Sequence, residues 1–154
     1  MMDVLEFIEE GIRSDGLPFQ DQSFKRGAFL CREGERNMHI YVLREGIVRA
    51  FVYVEGQERT IRLAYAPDMI AVLDSFYTGA ASRLNLQCVK SSRVWALKKA
   101  DFMNWVNASE SRRSFYQSYL EQFAVQQLER EIDLLHPSAK ERYKRLVERS
   151  PQIL

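Results

Sequence analysis

The stretch from His39 to Tyr65, HIYVLREGIVRAFVYVEGQERTIRLAY, decides how this 154-residue chain is read. It holds three runs rich in Val, Ile, Leu, Tyr and Phe: His39 to Leu43, Ile47 to Val54 and Arg59 to Tyr65. Single glycines, Gly46 and Gly56, stand between them. β-Branched and aromatic side chains in short runs broken by turn residues are the pattern of antiparallel strands. Within Arg59 to Tyr65 the residue order predicts that Ile61, Leu63 and Tyr65 face one way while Thr60 and Arg62 face the other, which leaves one face of the sheet wet.

Working outward, turn signals at Gly34, Gly46, Gly56 and Pro67-Asp68 recur every ten to twelve residues. That rhythm suits a sandwich or a jelly-roll barrel, and parallel strands alternating with long helices are absent. Before the strands, Asp3 and Glu6 form a capping box, and Val4, Leu5, Ile8 and Ile12 repeat at helical spacing until Gly16 and Pro18. After Leu97 the pattern becomes helical again, first over Ala100 to Val106 and then over about Ser109 to Leu135, where Pro137 ends it. Tyr116, Leu120, Ala124, Leu128 and Ile132 form one row at i+4 spacing beside a second row of Phe115, Tyr119 and Phe123. Two apolar rows exceed one narrow contact, so a helix pair shared between two subunits stands beside packing on the chain's own barrel. Ser138 and Glu141 open a last, basic helix to about Arg149, before Pro151. The predicted fold is mainly β with flanking helices: a jelly-roll barrel, or double-stranded β-helix, over 1–108, a long helix over 109–136 and a further helical segment over 137–154.

Hydrophobic residues at 46%, charged residues at 28%, and only 7 Gly and 4 Pro exclude collagen-like and disordered classes. Lys plus Arg is 22 against 21 for Asp plus Glu, a net charge of +1, so no global field draws the chain to nucleic acid or anionic lipid. The acidic start, with Asp3, Glu6, Glu9 and Glu10, is unlike a secretory leader, and charges at Arg62, Asp68 and Asp74 interrupt the most apolar stretch. A cytoplasmic protein without membrane contact is expected. Cys31 and Cys88 lie far apart without metal-ligand spacing, so buried thiols are expected and neither metal nor cofactor is.

Three glycine motifs follow one another: Lys25-Arg26-Gly27, Arg32-Glu33-Gly34-Glu35, and Tyr41-Val42-Leu43-Arg44-Glu45-Gly46-Ile47-Val48-Arg49. Downstream come Ser75-Phe76-Tyr77-Thr78-Gly79, Ser82-Arg83-Leu84-Asn85-Leu86-Gln87, a strand over Val94 to Leu97 and a helix from near Asp101. In this order they resemble the cyclic nucleotide-binding-like sensor domain of Crp/Fnr transcription regulators, and Ser138-Ala139-Lys140-Glu141-Arg142-Tyr143 is similar to the segment that precedes their helix-turn-helix domain. The resemblance implies a ligand-sensing and dimerisation module, a homodimer with an unidentified small-molecule effector, and DNA contact only through a domain absent from this chain. It also implies a phosphate-binding cassette, here spanning roughly Pro67 to Asn85, in which backbone amides and an arginine hold a cyclic phosphate and a glutamate holds the ribose.

The cassette departs from that pattern. Ala71-Val72 stands where a Gly-Glu pair is expected, and valine accepts no hydroxyl proton. Ser82 occupies the arginine position and Arg83 follows it, which in a strand turns the side chain to the other face. Cyclic AMP is therefore not the expected effector. Asp74 either replaces the missing glutamate or caps a turn. The candidate ligand residues are Asp74, Thr78, Ser82, Arg83, Asn85, Tyr119 and Phe123, the last two as a lid from the long helix, and the candidate dimer seam is Tyr116, Leu120, Leu128 and Ile132. Asn85 and Gln87 also read as the polar face of a half-buried strand, and the helix aromatics as core. Two other functions fit the shape: a stand-alone interaction protein, and a cupin-type metalloenzyme, for which His39 and His136 are the sparse ligand candidates and Tyr41 stands where a second barrel histidine would be wanted. No catalytic residue is expected.

Overall fold

The computed structural model describes residues 3–153, so Leu154 at the end of the expected C-terminal segment lies outside the described residues. The strands are β1 (Gln20–Phe24), β2 (Phe29–Cys31), β3 (His39–Glu45), β4 (Ile47–Val54), β5 (Gln57–Tyr65), β6 (Asp68–Ala71), β7 (Asn85–Cys88) and β8 (Ser92–Lys98). They form two four-stranded sheets, ordered β1-β8-β3-β6 and β2-β7-β4-β5, with every pair antiparallel. This is the jelly-roll architecture expected from the turn rhythm. Tyr41, Leu43, Ile70, Val94 and Ala96 of the first sheet share one buried cluster with Leu30, Val48, Ala64, Leu86 and both cysteines of the second. Burial pushes the Cys31 thiol up to about 11, with the charges of Glu35 and Asp74 adding to the effect, so at neutral pH it is a packed apolar group and not a nucleophile.

The turn between β3 and β4 depends on Gly46, whose φ of +103° favours glycine and whose missing side chain leaves room for the Ser92 hydroxyl. β5 reverses the expected facing. Ala64 is buried with Val48, its neighbour in the ladder, and Arg62 is turned toward Asp68, 3.3 Å away, with only 11% of its side chain exposed. A register shift opposite Ala50 and Phe51 leaves Ile61 outside the ladder, and that extra residue inverts the alternation read from the sequence. β1 lies N-terminal to the predicted strands because its sequence, QDQSF, is mostly polar, as befits a sheet edge with water on one side.

The chain divides into two compact units, residues 1–108 and 109–154. In the first, α1 (Val4–Asp15) carries the Asp3–Glu6 capping box and meets α3 (Lys99–Asn107). Phe7 lies 4.8 Å from the Trp105 ring, and the Trp105 indole N–H donates to Asp15 at 2.9 Å. Gly11 permits this approach: a Cβ there would come within 2.5 Å of the indole. The second unit holds α4 (Glu110–Leu134), begun by a bond from Arg112 N–H to the Ser109 hydroxyl, and α5 (Ala139–Arg149), capped by Ser138, before a short 3-10 turn over Pro151–Ile153. Asp133 joins the two helices by accepting from Arg145 Nε at 3.0 Å and from Arg149. Arg142 donates to the carbonyls of His136 and Pro137. Three of the five basic residues of the last helix, Arg142, Arg145 and Arg149, are thus engaged within the unit, and Lys140 and Lys144 are exposed.

Candidate ligand-binding cassette

Between β6 and β7, inside the expected cassette, the chain forms α2 (Leu73–Thr78), a helix that the sequence pattern did not signal. Val72 precedes it with its side chain fully buried in the barrel cluster and makes no capping bond. The position expected to carry a ribose-binding acid is therefore part of the core. Asp74 takes a different role. Its Oδ1 accepts from Ser75 N–H at 2.8 Å and from the Ser82 hydroxyl at 2.7 Å, and its Oδ2 accepts from Arg83 N–H at 2.9 Å. Burial alone would raise its pKa, but the bonds from Arg83, Ser82 and Ser75 outweigh that cost and hold the carboxyl below the usual range, so it is a carboxylate at neutral pH. Asp74 is neither a free acid in the pocket nor only the cap of its own turn, since it binds the two ends of the cassette together.

Ser82, 3% exposed, serves the same closure. Its N–H donates to the Glu35 carbonyl, its carbonyl accepts from Gly34 N–H, and its hydroxyl accepts from Leu84 N–H, all at 2.8 Å. The Arg83 side chain is 88% exposed, and its Nε stands 3.9 Å from Asp74 Oδ2. Thr78 is spent on the end of α2, where its hydroxyl donates to the Asp74 carbonyl at 2.6 Å and accepts from Ala80 N–H. Asn85 is buried, contrary to its reading as a wet strand face. Its Oδ1 accepts from Glu33 N–H at 2.9 Å, and Phe51, Phe29 and the guanidinium of Arg32 stack over this side of the sheet.

Beside α2 lies an open depression of about 520 Å³. Val52, Tyr53, Ile61, Leu73 and Leu84 form its largely apolar wall, and Glu33, Asp74 and Arg83 its charged rim. Of the sequence candidates, Asp74 and Arg83 line it, whereas Thr78, Ser82 and Asn85 support the backbone around it. Tyr119 and Phe123 are half-buried residues of α4, in the second unit. On that helix Tyr116 is buried, Leu120 is half-buried, and Leu128 and Ile132 are 55% and 45% exposed.

Three supports of α2 escaped the sequence reading. The Ser75 hydroxyl accepts from Asn37 N–H at 2.9 Å, and Asn37 Nδ2 donates to the Tyr41 hydroxyl at 2.8 Å. Lys99 donates to the Phe76 carbonyl near the end of α2, with its ammonium 4.9 Å from the Phe76 ring centre. An asparagine before a strand reads as a turn residue and a lysine after one as a helix start, so neither signals a long-range partner. Of the metal-ligand candidates, His39 stacks on Tyr41 at 5.9 Å, and burial followed by the charge of Lys98 lowers its pKa. Among the described residues no group of three or more His, Cys, Asp or Glu side chains is placed to hold a metal ion.

Residues 21–109 match the cyclic nucleotide-binding domain, which is more than half of the sequence. The chain belongs to the cyclic nucleotide-binding domain family. Its solved neighbours include transcription regulators, in keeping with the Crp/Fnr resemblance. The Catabolite Activator Protein of Thermus thermophilus is 20% identical with a TM-score of 0.62, over 84% of this chain and 59% of that one. CooA, a CO-dependent transcription factor from Carboxydothermus hydrogenoformans, is 19% identical with a TM-score of 0.62, over 87% and 56%. The sensor domain of the transcriptional regulator DNR from Pseudomonas aeruginosa is 16% identical with the same TM-score, over 86% and 83%. The chain spans a little over half the length of the first two. No curated protein sequence matches it. Within the described residues, no helix is long and apolar enough to cross a membrane.

Proposed function

We propose that this chain is the ligand-sensing and dimerisation module of a Crp/Fnr-type transcription regulator, in the cytoplasm where such regulators meet DNA, and that it does not respond to cyclic nucleotides. One observation carries the second half: the Asp74 carboxylate accepts from the Ser82 hydroxyl and from Arg83 N–H. A phosphate would have to displace an anion already held by those bonds, and Val72 offers nothing to a ribose. Cyclic AMP and cyclic GMP then bind more weakly than about 100 μM, roughly 5.5 kcal/mol on the standard scale. Calorimetric titration of the whole chain tests this, and micromolar affinity for either nucleotide refutes it.

The dimer half of the proposal draws on α4, where Val125, Leu128 and Ile132, at 57%, 55% and 45% exposure, recur at i, i+3 and i+7. Such a stripe suits a second copy of the same helix. Leu128→Glu places a carboxylate in that seam and yields folded monomers, read by light scattering beside circular dichroism. A wild-type chain that is monomeric at high micromolar concentration contradicts the assignment. DNA contact, in this reading, belongs to a helix-turn-helix domain outside this sequence, and the chain alone selects no site from a randomised duplex pool.

A further inference from the structure

We propose that the depression bounded by α2, β4 and β5 binds an uncharged, largely apolar small molecule and discriminates against the same molecule carrying a phosphate. This rests on the reading of the cassette given above and names the ligand class that the closed cassette selects. Its volume of about 520 Å³ falls in the range of small-molecule sites, roughly 300–1,000 Å³, and suits a ligand of two or three rings. The wall combines aliphatic Val52, Ile61, Leu73 and Leu84 with the ring of Tyr53, and Ile61 leaves 37% of its surface to water in the free chain, so covering it is favourable.

The charges argue against an anion. Two carboxylates, Glu33 and Asp74, face the depression against one guanidinium. Arg83 is 88% exposed, so its attraction for a phosphate is screened by solvent and salt. Two donors of the cassette, the Ser82 hydroxyl and Arg83 N–H, are already used by Asp74. A phosphate placed here would lose hydration for only a solvent-screened guanidinium and the Tyr53 hydroxyl, and would lie near two carboxylates, whereas a neutral ring system would lose little.

A matched pair of probes tests the proposal on the whole chain: 1-naphthol and 1-naphthyl phosphate, followed by amide NMR shifts of Ile61, Leu73 and Leu84. We expect saturable binding of 1-naphthol and binding of the phosphate at least about tenfold weaker. Ile61→Glu, at a half-exposed position that folding tolerates, weakens 1-naphthol by about tenfold or more. Asp74→Ala, if it retains the wild-type spectrum elsewhere, brings the two probes to within about threefold of each other. Absence of saturable 1-naphthol binding, equal or tighter binding of the phosphate by the wild type, an unchanged affinity in Ile61→Glu, or an undiminished gap in folded Asp74→Ala each overturns it. Micromolar binding of cyclic AMP would instead refute the underlying reading, so the two failures are distinguishable.

Discussion

The centre of the barrel and its cassette end are held together by different physics. Around β3, Leu43, Val94 and Val72 are wholly buried and packed against residues of the opposite sheet, so that region is fixed by many small contacts and by apolar area. Around α2, Phe76 is wholly buried as well, but the loop that follows is tied to the helix by a few hydrogen bonds converging on Asp74, Ser82, Ser75 and Asn37. A core made of many contacts tolerates the loss of one and degrades gradually. A cassette made of a few charged bonds has two discrete conditions, tied and untied, and is the place where a ligand or a substitution can act on the whole arrangement.

The contrast is sharpest if both regions are damaged. Leu43→Ala removes a fully buried side chain and lowers global stability by about 2–5 kcal/mol, measured by chemical denaturation. Asp74→Ala leaves the Ser82 hydroxyl and Arg83 N–H without their acceptor, a local loss of about 1–3 kcal/mol. That loss shows as faster amide exchange between Gly79 and Leu84 while exchange in β3 and β8 is unchanged. If Asp74→Ala instead speeds exchange in β3 as much as in the cassette, the two regions are one cooperative body and the comparison fails.

The fold was readable because area burial leaves a periodic trace. Ile47 to Val54 and the long helix from about Ser109 were found from spacing, and the helices capped at Asp3 and Ser138 from spacing and cap chemistry. What was missed lacks periodicity. The bulge at Ile61 shifts the facing of β5 by one residue, and no composition signal marks it. Asp74 was visible as a candidate, but its partners Ser82 and Arg83 lie eight and nine residues away across a helix and a turn, and only the folded loop brings them to it. Asn85 was read by alternation as wet, while a stack of Phe29, Phe51 and Arg32 covers its side of the sheet.

Smaller effects sharpen the contrast further. The folded Asp74 carboxyl titrates below its unfolded value of about 3.9, so its stabilisation is complete above that pH and is lost as the pH falls on through the lower folded value. Cassette amides therefore stay protected through mild acid and lose protection before the barrel amides do, which exchange measured at successively lower pH will show. Both thiols resist an aromatic disulfide reagent at pH 8 until the chain unfolds, because burial raises the pKa of Cys31 and of Cys88. Arg83→Ala is the mildest change: with 88% of the side chain in water and its role in the cassette carried by the backbone N–H, stability moves by less than about 0.5 kcal/mol.

Asp74, a carboxylate of the chain itself, closes the cassette by accepting from Ser82 and Arg83. The exchange rate of the Arg83 amide proton, measured by NMR with and without millimolar cyclic AMP, tests this closure most directly. The bond from this N–H to Asp74 predicts an amide already protected in the free protein and unchanged by the nucleotide. An Arg83 amide that exchanges freely in the absence of ligand and becomes protected only when cyclic AMP is added would contradict it.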